Sequence, residues 1–173
     1  IPTYAAVKLQ VDNWRWQGVP FYLRSGKNLK EKLSQITIQF KEPPQLLFPT
    51  KNEPLTPNML VLYLQPDEGV HWRFEAKVPD TTSELRSVDM EFHFADSFGK
   101  TAIPEAYERL LLDTISGDAS LFTRADEVEE QWALVDSMVA PWKRDRPNFP
   151  NYAAGTWGPV AADGLIHRDG RSS

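Results

Sequence analysis

Several stretches of the chain alternate apolar and polar residues with a period of two, which is the pattern of half-buried β-strands. The first begins at Tyr4 and has Val7 and Leu9 on its apolar side. The same period returns in SQITIQF, MLVLYLQ, VHWRFEAKV and VDMEFHF. Clean alternation is typical of antiparallel sheets that have one solvated face. We therefore expect one large, mainly antiparallel β-sheet.

Two segments have helical spacing instead. In IPEAYERLLLDTISG the apolar residues recur along one side, and Gly117 is the predicted C-terminal stop. In TRADEVEEQWALVDSMVAPW, Thr123 and Asp126 form a predicted capping box and Pro141 ends the helix. The predicted fold class is α+β, with the helices on one face of the sheet. Residues 147–173 are rich in Pro and Gly without periodicity, so we expect an irregular tail there.

Composition narrows the classes of function. A length of 173 residues fits a single domain, residues 1–173. Nineteen Lys and Arg stand against twenty-four Asp and Glu, so we expect neither nucleic acid nor a membrane surface as a partner. The absence of cysteine excludes thiolate catalysis, disulfides and Cys-based metal sites, and favours a cytoplasmic location.

Motifs for complete catalytic sites are missing from the sequence. No G-x-G-x-x-G or G-x-S-x-G occurs, and the residues around Lys27 do not fit a phosphate-binding loop of the Walker type. His71, His93 and His167 lack the spacing of metal ligands, and the first two lie on polar faces of predicted strands, where solvated histidines are the better interpretation. We predict no metal site and no catalytic residue in this chain.

One cluster of cations remains as candidate chemistry. Arg24, Lys27, Lys30 and Lys32 fall within nine residues at the end of the predicted strand GVPFYLRSGK. The Ser-Gly turn there can aim backbone N–H groups at an anion, and the cations add positive charge. A solvated turn with interspersed charge fits the same pattern, so both interpretations stay open at this point.

The segments IPTYAAVKLQVDNWRWQGVPFYLRSGKNLKEK, YLQPDEGV, PEAYERLLLD and LFTRADEVEEQWALVD follow one another along nearly the whole chain. In this order they resemble the C-terminal part of the glucose-6-phosphate dehydrogenase family. The resemblance implies that residues 1–173 form a C-terminal substrate-binding and dimerisation domain. It also implies that an N-terminal domain, outside this sequence, binds most of the NADP and carries the catalytic histidine. The isolated chain is then expected to be inactive.

The resemblance also implies roles for individual residues. Lys27 and Lys32 match contacts to glucose 6-phosphate, and Gln65 matches a further substrate contact. Arg24 matches a contact to the second, structural NADP that some members hold. Where that version carries basic side chains, this chain has Leu33, Thr37, Tyr63 and Trp157. This departure predicts that the structural NADP site is absent. The family resemblance further implies a homodimer or a dimer of dimers.

Two alternatives belong to other classes of function. The chain can be a non-catalytic carbohydrate or anion-binding module in which Trp14, Trp16 and Trp72 form a sugar platform. It can also be a dimerisation scaffold without a ligand. Trp72 shares its apolar face with four other residues, which favours core packing over a platform role for that side chain.

Overall fold

The computed structural model of the chain describes residues 2–42, 56–81, 84–99, 106–145 and 148–171. The chain divides into two units, residues 1–31 with 122–173 (unit 1) and residues 32–121 (unit 2). The elements in chain order are β1 (Tyr4–Gln10), β2 (Pro20–Gly26), β3 (Ser34–Gln39), β4 (Met59–Gln65), β5 (Gly69–Lys77), β6 (Leu85–His93), α1 (Phe94–Phe98), α2 (Ala106–Ser116), α3 (Ala125–Arg144) and α4 (Val160–His167).

Unit 1 is built on an antiparallel hairpin of β1 and β2, whose register pairs Tyr4 with Gly26. In the connection between the strands, the Asn13 side-chain oxygen accepts hydrogen bonds from the backbone N–H groups of Arg15 (3.1 Å) and Trp16 (2.9 Å). An Asn side chain that bonds its own backbone two residues on is a standard way to reverse the chain. The hairpin therefore brings the end of β2 back beside the start of β1.

Unit 2 contains a four-stranded antiparallel sheet in the order β3-β4-β5-β6, so each strand pairs with its neighbour in sequence. Gly69, at the start of β5, is buried where that strand turns back along β4. A Cβ atom at this position would lie 2.5 Å from the Phe92 carbonyl oxygen and 3.0 Å from the His93 ring. Only glycine permits the close approach of β5 to β6 at this end of the sheet.

One face of this sheet is apolar across all four strands. The register aligns two cross-strand rows, Ile36–Leu62–Val70–Phe92 and Ile38–Leu60–Trp72–Met90. The alternation predicted this face, but several side chains on it remain exposed. Trp72 is 45% exposed and Met90 is 64% exposed. Val61, on the opposite face, is 6% exposed and is the one buried apolar side chain among the described residues.

The helix boundaries correct two expectations. Gly117 follows α2 with a φ of 71°, as predicted for a C-terminal glycine. The capping box is wrong: Arg124 occupies the N-cap of α3 without a side-chain cap bond. The Asp126 carboxylate instead accepts two bonds from the Arg124 guanidinium, at 2.7 and 3.0 Å. Pro141 does not end the helix, because its missing N–H removes only one bond and just one turn follows it.

The tail is also more ordered than the sequence predicted. Residues 160–167 form α4, which packs against β1. After α4, the Asp169 carboxylate binds the Lys8 ammonium (2.6 Å) and accepts a hydrogen bond from the Tyr22 hydroxyl. Periodicity over eight residues is too short to be recognised between Pro159 and Gly170, so this helix was missed. The tail therefore lies across both strands of the hairpin.

The α+β class and the antiparallel pairing are confirmed. The strands do not form one sheet, however, because β1 and β2 pair with each other and the other four pair among themselves. Alternation indicates which side chains share a face and leaves the choice of partner strand undetermined. Across the described part of the chain, no helix combines the length and the apolar character needed to cross a membrane.

Candidate functional site

Lys27 lies immediately after β2, in the turn that the sequence marked as basic. Its backbone N–H donates to the Thr3 carbonyl at 2.8 Å, which extends the β1–β2 pairing by one residue. Gly26 allows this close approach, because a Cβ there would lie 2.7 Å from the Tyr4 ring. Asn28 then adopts a φ of 51°, a left-handed conformation that asparagine tolerates better than most residues. The turn therefore has a defined backbone.

Arg24 is engaged by groups from the tail. Its guanidinium lies 3.6 Å from the Asp163 carboxylate on α4 and 5.9 Å from the centre of the Trp157 ring. The Lys30 ammonium lies 6.0 Å from the centre of the same ring. A cation at such a distance is attracted by the negative face of an aromatic ring. Two of the four cations in the basic cluster are thus bound internally in unit 1.

Lys27 and Lys32 differ from these two cations. Lys27 is in unit 1, and Lys32 is at the start of unit 2, two residues before β3. Both side chains are exposed, and neither forms an ion pair with another described residue. Each ammonium group keeps its full hydrogen-bonding capacity for an anion.

Gln65 is the last residue of β4 and its side chain is exposed. It opens the turn to β5, and this turn is attached to the end of β6, where the Phe94 N–H donates to the Glu68 carbonyl at 3.0 Å. The predicted substrate residue thus lies immediately before a short turn that is hydrogen-bonded to the end of β6.

His93 provides a second attachment between β6 and this turn. Its Nε2 lies 3.0 Å from Glu91 Oε1, within hydrogen-bond distance. Its Nδ1 lies 3.1 Å from Asp67 Oδ2 without hydrogen-bond alignment, so this contact is electrostatic and needs a protonated ring. The ring also stacks on Tyr63, with centroids 5.9 Å apart. The sequence did not predict this role, because nothing in the spacing of His93, Asp67 and Glu91 indicates that their side chains are in contact.

His71 is likewise not the solvated residue that the sequence predicted. Its Nε2 lies 2.7 Å from the Asp89 carboxylate, and Arg73 donates to the same oxygen at 2.9 Å. The hydrogen bonds from His71 and Arg73 lower the pKa of Asp89 below its ordinary value. Within the described residues, no group of three or more His, Asp or Glu side chains is arranged to hold a metal ion.

The positions that match the structural NADP site are occupied by non-basic side chains with other contacts. Leu33 is partly exposed, and Thr37 accepts a hydrogen bond from the Gln35 side chain at 3.5 Å. Tyr63 stacks on His93, and Trp157 lies beside Arg24. Among these matched positions, Arg24 is therefore the one basic residue.

The proposed sugar platform is not assembled within either unit. Trp14 and Trp16 are in unit 1, where Trp16 packs edge-on against Phe21 at 5.4 Å, and Trp72 is in unit 2. Trp72 lies on the apolar face of the sheet and stacks with Phe40 at 6.3 Å. Its predicted core packing is only partial, since Trp72 remains 45% exposed.

Comparison with known proteins decides the family. The protein-family model described as "Glucose-6-phosphate dehydrogenase, C-terminal domain" matches residues 1–173. The chain belongs to this family. Glucose-6-phosphate 1-dehydrogenase of Chlamydia pneumoniae is 48% identical over 176 residues, which covers 99% of this chain and 34% of that protein. The enzyme of Dickeya dadantii is 45% identical over 172 residues, which covers 98% and 35%.

Solved structures agree with this assignment. A crystal structure of glucose-6-phosphate 1-dehydrogenase from Mycobacterium avium has a TM-score of 0.74 at 35% identity and covers 99% of this chain. A glucose-6-phosphate dehydrogenase in complex with its substrate glucose-6-phosphate has a TM-score of 0.84 at 30% identity, with 99% of this chain covered. The chain spans about a third of the length of the relatives that it matches. The family assignment confirms the resemblance seen in the sequence.

The contacts of His93 predict an elevated pKa. The hydrogen bond to Glu91 and the charges of Asp67, Glu91 and Asp96 raise the pKa of His93 above the ordinary value of 6.5, although burial opposes the shift. The protonated ring therefore stabilises the fold fully below about pH 6.5, and this contribution is lost as the pH rises through the folded-state pKa. An NMR titration is expected to show the raised pKa, and Glu91→Gln is expected to lower it. Glu108→Gln on α2 serves as the control. An unchanged pKa in Glu91→Gln would contradict the assignment.

Proposed function

We propose that the chain is the C-terminal domain of an NADP-dependent glucose-6-phosphate dehydrogenase, which oxidises glucose 6-phosphate to 6-phosphogluconolactone in the cytoplasm. The supporting observation is that Lys27 and Lys32, which match the family's substrate contacts, have ammonium groups free of ion pairs with the described residues. The domain contributes phosphate binding and an oligomer interface. The nicotinamide site and the general base belong to the N-terminal domain.

The two lysines suit a phosphate dianion. An ammonium group forms charge-assisted hydrogen bonds to phosphate oxygens, and its three donors do not demand a fixed planar arrangement. Gln65 suits a sugar hydroxyl, since an amide both donates and accepts hydrogen bonds. In this proposal, the chain anchors the end of the sugar phosphate opposite to C1. Oxidation transfers a hydride from C1 to NADP and the proton of the C1 hydroxyl to the base, so the phosphate keeps its charge throughout.

An anchor that binds ground state and transition state equally predicts a particular kinetic effect. In the full-length dehydrogenase, Lys27→Ala or Lys32→Ala is expected to raise KM for glucose 6-phosphate more than it lowers kcat. Each lost charge-assisted bond is worth roughly 1.5–3 kcal/mol, or about 10- to 150-fold in kcat/KM. Some loss of kcat follows because the anchor also positions C1. Steady-state kinetics with glucose 6-phosphate and with free glucose provide the measurement.

Free glucose lacks the phosphate, so its kcat/KM is expected to change little in both variants. Lys77→Ala removes another exposed ammonium group, at the end of β5, and is the matched control. If kcat/KM falls equally for both sugars, the lysines act on folding or on the cofactor and not on the phosphate.

The second, structural NADP does not fit this chain. Of the matched positions, Arg24 alone is basic, and its guanidinium is already engaged by Asp163 and Trp157. Binding a dinucleotide phosphate there would require breaking these contacts without the other cations to compensate. We therefore propose that NADP binds only at the catalytic site in the N-terminal domain.

Equilibrium dialysis of the full-length enzyme is expected to give one NADP per subunit. Arg24→Ala is expected to leave both the stoichiometry and the affinity unchanged, because this residue does not touch the bound cofactor. Two equivalents of NADP per subunit, with one of them lost in Arg24→Ala, would show that the structural site is present after all.

We further propose that a second copy of the chain covers the apolar face of the four-stranded sheet, giving a homodimer or a dimer of dimers. The face is continuous, and Met90 near its outer edge is 64% exposed. Contiguous apolar surface of this kind marks interaction sites, and two-fold pairing is the commonest way to bury one. The net charge of −5 argues against nucleic acid or an anionic membrane as the alternative partner.

Met90→Glu tests this interface. Burying an unpaired carboxylate is costly, so the variant is expected to raise the dissociation constant of the dimer about tenfold or more. Light scattering over a concentration series measures the change. Val160→Glu, at an exposed position at the start of α4, is the control and is expected to leave the dimer intact. A dimer unaffected by Met90→Glu would exclude this face as the interface.

A further inference from the structure

We propose that Tyr152 is a positioning residue for Lys27, so that the C-terminal segment sets the affinity for the phosphate group of the substrate. This inference rests on the proposed function of Lys27 and goes beyond it, because Tyr152 belongs to a segment without a substrate contact of its own in that proposal.

The backbone of Lys27 is held at both of its polar groups. Its N–H donates to the Thr3 carbonyl at 2.8 Å. Its carbonyl lies 2.9 Å from the Tyr152 hydroxyl, and the same hydroxyl lies 3.0 Å from the Thr3 carbonyl. A single O–H shares its hydrogen between these two acceptors. Lys27 is beyond the last residue of β2. The Tyr152 hydroxyl therefore binds the carbonyl groups of Lys27 and Thr3 just past the end of the β1–β2 pairing.

Further backbone hydrogen bonds join the same two segments. The Gly155 N–H donates to the Asn28 carbonyl at 2.9 Å, and the Lys30 N–H donates to the Thr156 carbonyl at 3.0 Å. Leu29 and Thr156 form a parallel bridge. Asn28 has a φ of 51°, a conformation that needs support from its surroundings. The tail therefore stabilises the turn along its whole length.

Ring packing fixes the direction of the Tyr152 hydroxyl. The ring lies 5.5 Å from that of Tyr4 at an angle of 56°. Tyr4 in turn fits against Gly26 and Gly158, where an added Cβ would collide with its ring. Phenylalanine at position 152 retains this packing and loses only the hydroxyl. The variant Tyr152→Phe therefore separates the hydrogen bond from the hydrophobic contact.

The backbone position controls what the lysine side chain can reach. A long flexible side chain loses entropy when its ammonium group binds, and a mobile backbone adds to that cost. Removing the hydroxyl bond is expected to weaken phosphate binding about three- to tenfold, the range of one neutral hydrogen bond. The effect should appear in KM for glucose 6-phosphate, since the phosphate takes no part in hydride transfer.

The test uses Tyr152→Phe in the full-length dehydrogenase, alone and combined with Lys27→Ala. Alone, it is expected to raise KM for glucose 6-phosphate three- to tenfold with kcat changed less than twofold and with kinetics on free glucose unchanged. In the Lys27→Ala background it should add nothing, because the lysine through which it acts is gone. Tyr107→Phe removes an exposed hydroxyl on α2 and is the matched control. An unchanged KM, or an equal rise with and without Lys27, overturns the inference.

Amide hydrogen exchange separates this inference from the proposed function. If Tyr152 holds the turn, Tyr152→Phe should accelerate exchange of the Lys27 and Lys30 amides while amides of β4 and β5 keep their protection. If Lys27→Ala alone leaves KM unchanged, the proposed phosphate role of Lys27 fails, and exchange then decides the positioning role. Faster exchange of the two turn amides supports it, and unchanged exchange overturns it.

Discussion

The incompletely buried apolar face of the four-stranded sheet is the constraint on which the rest of unit 2 depends. Backbone hydrogen bonds join each neighbouring pair of strands from β3 to β6, yet Val61 is the one apolar side chain buried among the described residues. Hydrophobic burial is the main favourable term in folding, so a sheet that leaves Ile36, Ile38, Trp72 and Met90 exposed needs a cover. Gln65 is fixed to the end of β4, so the partner proposed for this face would also support the turn that begins at Gln65.

Both turns that carry proposed substrate residues are stabilised in the same way. Each turn begins where a strand ends, so strand pairing no longer fixes its backbone. Each is instead hydrogen-bonded by another segment of the same unit. The Lys27 turn is bonded by the tail at Tyr152 and Gly155, and the turn after Gln65 is bonded by β6 at Phe94 and approached by His93. Side chains that bind a ligand need a defined backbone, and here hydrogen bonds to main-chain groups of the turns provide it.

The sequence predicted features that depend on local order and missed those that depend on distant pairing. Alternation located strands and the apolar face, because the period of two is a property of each strand alone. It did not indicate that the strands form two sheets, nor that Trp72 stays half exposed. The bond between Tyr152 and Lys27 joins residues 125 positions apart, within a segment that was predicted to be irregular. Lys27, Lys32 and Gln65 are predicted as substrate contacts only through the family resemblance, since a basic turn by itself fits solvent equally well.

The distribution of partners within the basic cluster explains why only some of its cations suit a substrate. Arg24 and Lys30 lie on either side of Lys27 in sequence, but both are attracted to Trp157, and Arg24 also to Asp163. Pulling them toward a ligand would cost these contacts. Lys27 has no such contact to lose among the described residues, and its backbone is already fixed. Internal partners thus make the first two cations structural and leave Lys27 available for an anion, which is the condition that a reversible phosphate anchor requires.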